Sequence, residues 1–144
     1  MIKKIIAISC CAFIAANVYA EPNTVTITGK LINNATKDIS SPGWSYITAR
    51  VTLGNPNDAQ YIKIAGDNVP SNGAYLDIYY NNPVDYLIDT THISGKVTIE
   101  FYDPNSNFRC AWGFEKGYSS GALLSGDTAI CTQTYNDLYM NKRN

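Results

Sequence analysis

The sequence predicts an all-β protein: an antiparallel β-sandwich of about six to eight short strands, with a small β-barrel as the alternative way to close the same strands. Three observations predict it. Apolar and polar residues alternate with a period of two through much of the chain after residue 21. Clusters of Gly, Pro, Asn and Asp interrupt that alternation at short intervals. No apolar period of 3.6 is sustained over about ten residues in the same region.

An export signal precedes the β region. Met1-Ile2-Lys3-Lys4 is a short positive start, and an apolar run extends from Ile5 to about Ala16. The run is shorter than the roughly 20 residues a membrane-spanning helix needs, and its length suits a signal-peptide core. Val18-Tyr19-Ala20 places small residues where a signal peptidase reads, so cleavage is expected after Ala20. Cys10 and Cys11 lack the longer apolar stretch that lipidation uses. Residues 1–20 are therefore read as a signal peptide, and 21–144 as one β-rich domain with a short polar C-terminal tail.

The strands follow in order. In Thr24–Ile32, Val25, Ile27 and Leu31 alternate with Thr26, Thr28 and Lys30, and Gly29 marks a candidate bulge. In Tyr46–Leu53, Ile47, Ala49, Val51 and Leu53 share one face, and Tyr46, Thr48, Arg50 and Thr52 the other. Gly54-Asn55-Pro56-Asn57-Asp58 is a turn, with Gln60–Ile64 as its hairpin return. Residues 66–73 form a loop, Ala74–Tyr80 is a strand, and Asn81-Asn82-Pro83 breaks it before the weaker strand Asp85–Asp89. Lys96–Tyr102 and Asn107–Phe114 form the most apolar hairpin, turning at Asp103-Pro104-Asn105-Ser106 and grouping Phe108, Cys110, Trp112 and Phe114 on one face. Gly117–Gly126 reads as loop, Thr128–Tyr135 as the last strand, and Asn136–Asn144 as polar tail.

Charge and cysteine content narrow the partners. Lys3 and Lys4 leave with the signal and no acid does, so the mature chain holds 9 basic and 12 acidic residues, a net charge near −3. That balance argues against nucleic acid and against an anionic membrane surface. No later segment is apolar enough to span a membrane, so no stable insertion is expected after signal removal. Cys110 and Cys131 remain as an even pair in an oxidising compartment, where a bridge is the default. One His and a bridged cysteine pair leave too few ligands for a zinc site, and no cofactor is expected. The D-x-N-x-N letters at Asp103–Asn107 lack the Gly and distal Glu of a calcium loop, and Pro104 fits an ordinary β-turn.

No catalytic set is expected. Gly117-Tyr118-Ser119-Ser120-Gly121 spells G-x-S-x-G, but no helical pattern follows it, and the single His92 precedes the serine. The tyrosines say more. By strand parity Tyr46, Tyr61, Tyr75 and Tyr79 fall on the wet faces of three consecutive strands and would form one aromatic platform if those strands were neighbours. Trp44, in a turn-rich segment, would extend it. The function expected is a secreted or periplasmic non-catalytic binding domain that recognises a protein or glycan surface through this face. The alternative is an enzyme inhibitor that presents the loop Tyr118–Ser125, with its base tied by Cys110–Cys131. A small hydrolase or an assembly subunit ranks below both; the late cysteine pair and the polar end Asn141-Lys142-Arg143-Asn144 argue against assembly.

Overall fold

Among the described residues, alternation after residue 25 becomes eleven strands in two sheets. The structure, a computed structural model, describes residues 25–35 and 45–141; the signal segment 1–20 and Trp44 lie outside the described residues. The strands are β1 (Thr26–Asn34), β2 (Tyr46–Leu53), β3 (Ile62–Ile64), β4 (Asp67–Asn68), β5 (Ala74–Tyr79), β6 (Val84–Asp89), β7 (Val97–Tyr102), β8 (Phe108–Phe114), β9 (Ala122–Gly126), β10 (Cys131–Thr134) and β11 (Asp137–Asn141), with a short 3-10 helix at Pro56–Tyr61. The first sheet runs β10-β11-β1-β6-β3-β4 and the second β5-β2-β7-β8-β9. The sheets stay separate, so the fold is a sandwich and not a closed barrel. All pairings are antiparallel except β1 with β11, which is parallel.

The strand count exceeds the expected six to eight because short pieces complete hairpins. Residues 122–126, read as loop, form β9. Most of the expected polar tail is β11, whose Leu138 and Met140 are buried in the core. A five-residue strand with two apolar positions carries too little periodicity to stand out, and its partner β1 is over a hundred residues away in sequence.

The core is one layer between the sheets. Ile27, Leu31, Ile62, Ile88, Leu138 and Met140 enter from the first sheet; Ile47, Ala49, Val51, Ile78, Ile99, Phe101, Trp112 and Phe114 enter from the second. Phe101 meets Trp112 edge-on at 5.2 Å, and Tyr86 meets Phe114 at 5.8 Å. Cys110 on β8 and Cys131 on β10 form the disulfide, which links the two sheets covalently.

Gly29 does not mark a bulge. β1 and β6 stay in register through the Gly29–Tyr86 pair. The glycine makes room: a Cβ there would lie 2.2 Å from the Asn136 carbonyl oxygen and 2.9 Å from the Tyr86 ring. The Tyr86 hydroxyl donates to that same Asn136 oxygen at 2.6 Å. Burial, and then Asp137, push the phenol up from its ordinary value, so it stays protonated as the donor.

The expected hairpin after β2 is also replaced. Asn55 caps a 3-10 helix, its side chain accepting from the Asn57 amide, and Pro56 occupies the first turn. Asp58 on this helix is buried. Its carboxylate accepts from the Ser94 amide (3.0 Å), the Ser94 hydroxyl (3.1 Å) and the Gly95 amide (2.8 Å). That pins the helix to the β6–β7 connection and carries the chain across to the first sheet.

Two outcomes follow. Gly29→Ala forces the β10–β11 turn or the Tyr86 ring to move, with an expected loss of about 1–3 kcal/mol in urea denaturation. Replacing both Cys110 and Cys131 by Ser releases a loop of 21 residues' separation. It is expected to lower stability by about 3 kcal/mol on the chain-entropy model, read as an earlier urea midpoint.

Candidate functional site

β2 is the second strand of its sheet, with β5 on one side and β7 on the other, and its outward residues set the layout of a solvent-facing surface. Tyr46 stands opposite Tyr79, their rings 6.0 Å apart. Two residues along, Thr48 lies between Asp77 and Tyr102, and its hydroxyl donates to Asp77 at 3.2 Å. Two further, Arg50 lies between Tyr75 and Glu100. Its guanidinium is 5.6 Å from the Tyr75 ring centre and 3.9 Å from the Glu100 carboxylate. The Tyr102 hydroxyl donates to Glu100 at 3.0 Å, and Phe108 meets the Tyr102 ring edge-on at 5.9 Å.

The result is a surface with five rings and a polar centre. Between them lies a depression of about 190 Å³ lined by Thr48, Arg50, Tyr75, Tyr102 and Ser106. Arg50, beside the Tyr102 hydroxyl, is pushed further up from an already high value and stays cationic. Burial raises the Tyr102 phenol and Glu100 raises it further, against the lowering by Arg50, so the hydroxyl keeps its proton. The centre therefore offers the Arg50 guanidinium as cation and donor, and beside it the Glu100 carboxylate and the hydroxyl oxygens of Thr48 and Tyr102 as acceptors, between apolar ring faces.

Three of the four expected tyrosines meet here. Tyr75 is 70% exposed and Tyr79 50%, while Tyr46 is half-buried. Tyr61 does not join them: it ends the 3-10 helix and stacks on His92 at 5.4 Å, because the chain crosses to the other sheet instead of returning beside β2. Tyr102 and Arg50 were legible from parity, since Phe101, Val51 and Ala49 point inward beside them. Phe108 was not. Parity groups it inward with Cys110, but a bulge between β7 and β8 sets Tyr102 opposite Phe108 and Phe101 opposite Cys110, leaving Arg109 as the extra residue. That slip turns Phe108 to the outer face, 42% exposed.

The bulge has a chemical anchor. Asp103 is buried and accepts from the Asn105 amide (2.9 Å), the Asn107 amide (3.0 Å), and Nε (3.0 Å) and Nη2 (2.8 Å) of Arg109. The carboxylate is thus spent on the turn and on Arg109. Burial pushes its pKa up, but the Asn107 amide, Arg109 and Asn105 together hold it below the ordinary value of 3.8.

The other candidates sit elsewhere. His92 Nδ1 lies 2.7 Å from Asp89 Oδ2. The G-x-S-x-G letters occupy an exposed loop followed by strand β9, not a helix. Of the expected inhibitory segment Tyr118–Ser125, residues 122–125 belong to β9. The remaining loop is also tied by Thr90, which accepts from the Gly117 amide at 2.9 Å and donates to the Tyr118 carbonyl at 2.6 Å. Among the described residues, no three His, Cys, Asp or Glu side chains are placed to hold a metal ion.

Asp103→Asn is expected to lower stability at pH 7 by about 1.5–3 kcal/mol, the range for hydrogen bonds to a charged group. Because the folded value lies below the unfolded one, the wild-type contribution is complete above about pH 4 and is lost as pH falls through the folded value. Urea midpoints from pH 7 to pH 2 should fall in the wild type and stay flatter in the variant.

Compared with known proteins, the chain matches no family model, no curated protein and no solved structure, so the reading of this surface rests on its own geometry.

Proposed function

We propose that the mature chain is a secreted or periplasmic binding domain without catalytic chemistry, and that the outer face of the second sheet is its recognition surface. The localisation half rests on the signal-like segment 1–20 and the disulfide. No helix among the described residues is long and apolar enough to cross a membrane.

The observation that carries the functional half is the arrangement of Tyr46, Tyr75, Tyr79, Tyr102 and Phe108 around Arg50, Glu100 and Thr48. Tyrosine gives broad contact area with little rotamer entropy to lose, and the charges are held in place before a partner arrives. A glycan fits this pattern best. Sugar rings present apolar C–H faces to aromatic rings and hydroxyls to fixed donors and acceptors, and the depression beside Tyr75 and Tyr102 is small enough to favour one ring over a protein loop. The loop at residues 115–121, tied by Thr90 and by Lys116 donating to the Thr91 carbonyl at 2.6 Å, supports the alternative reading as an enzyme inhibitor.

Replacing Tyr75 and Tyr79 together by Ser is expected to cut binding to a glycan array by at least ten-fold, with the circular dichroism spectrum and melting temperature unchanged. Binding that survives the double substitution would reject this surface. Loss of a protein partner with no glycan recognised would keep the surface and reject the glycan.

A further inference from the structure

A groove of about 440 Å³ opens on the first sheet, on the side of the sandwich away from the aromatic surface. Its size is in the range of small-molecule sites, roughly 300–1,000 Å³. Residues of β1 and β6 form the floor, Lys63 and Gly66 stand at one side, and Asp137 at the other.

Register shows how the charges are laid out. Lys63 is opposite Leu87, and Leu87 is opposite Thr28, so these three form one row across β3, β6 and β1. Two residues along the strands, Asp85 is opposite Lys30. The two rows are separated by about 6.7 Å, twice the rise of a strand residue. In the second row Lys30 Nζ meets Asp85 at 2.6 Å, and the Lys30 amide donates to Asp137 at 2.9 Å. Two aspartates around one lysine leave that row with a net negative charge. Lys63, in the first row, has no ion pair among the described residues. Leu87 lies between the two charged ends. Below the floor, the Tyr86 hydrogen bond to Asn136 holds the β10–β11 turn, and with it Asp137, against β1.

The groove is therefore a preformed dipole with an apolar middle. A simple anion would meet Asp85 and Asp137; a simple cation would meet Lys30 and Lys63. The geometry points to a second binding site, independent of the aromatic surface, for a small zwitterion of the dipeptide class: carboxylate on Lys63, apolar side chain over Leu87, ammonium toward Asp85 and Asp137.

The test is a titration of the 15N-labelled mature protein, followed by NMR, with glycyl-leucine, its N-acetyl form and its C-terminal amide. Saturable shifts are expected at the amides of Thr28, Lys63, Leu87 and Asp137 with the free dipeptide. Either blocked form should bind at least ten-fold more weakly. Lys63→Ala should erase the preference over the C-terminal amide and keep the preference over the N-acetyl form. The Tyr75→Ser, Tyr79→Ser double variant should bind like the wild type. Absence of saturable shifts with the free dipeptide, equal affinity for all three peptides, or undiminished discrimination by the Lys63→Ala protein each overturns the site.

Discussion

Burial of one apolar layer between two sheets is the constraint on which the rest of the structure depends. The chain changes sheets between β1 and β2, β2 and β3, β4 and β5, β5 and β6, β6 and β7, and β9 and β10. Among the described residues, only the β3–β4, β7–β8, β8–β9 and β10–β11 pairings are local hairpins. Every crossing must deliver a strand with its apolar residues turned toward the same layer, since a slip of one residue would turn the whole set outward. The layer closes because the last strand, β11, lies parallel beside the first and adds Leu138 and Met140 next to Leu31. The disulfide then joins the two sheets across this layer, from β8 to β10.

That same constraint explains what was legible in the sequence. Where period two runs unbroken, as in β2, β5 and β7, parity places the side chains correctly: Ile47, Ala49 and Val51 are buried, and Tyr46, Thr48 and Arg50 are not. The three tyrosines that meet on the surface all lie on such stretches. Failures cluster where one residue is added or the period stops. Phe108 was misplaced by a single bulged residue, and Tyr61 by a 3-10 helix where a strand was expected. The helix did leave a sign, Asn55-Pro56 being a cap followed by a first-turn proline. A bulge leaves none in alternation alone, because both registers of Asn107–Phe114 bury a plausible apolar set.

Buried carboxylates determine where those interruptions fall. Asp58 and Asp103 are each nearly inaccessible, and each is satisfied by backbone amides of a connection: Ser94 and Gly95 for one, Asn105 and Asn107 for the other. A carboxyl group buried out of water demands hydrogen-bond partners, so the loop must adopt the conformation that supplies them. Asp58 thereby redirects the chain from one sheet to the other. Asp103, with Arg109, holds the bulge that puts Phe108 beside Tyr102. The residues that shape the aromatic surface thus include two that contribute no ring to it.

Stability gives little reason for that surface to be aromatic. Tyr75 and Tyr79 leave half or more of their area in water, so they gain little from burial. An exposed cation–π contact such as Arg50 with Tyr75 is worth about 0.5–1 kcal/mol, and a surface ion pair such as Arg50 with Glu100 no more. Threonine at the same sheet positions would suit the pleated backbone without exposing apolar rings, as Thr48, Thr52 and Thr98 do nearby. Five rings gathered on a solvent-facing sheet, with a charge cluster among them, are therefore not accounted for by the needs of the fold.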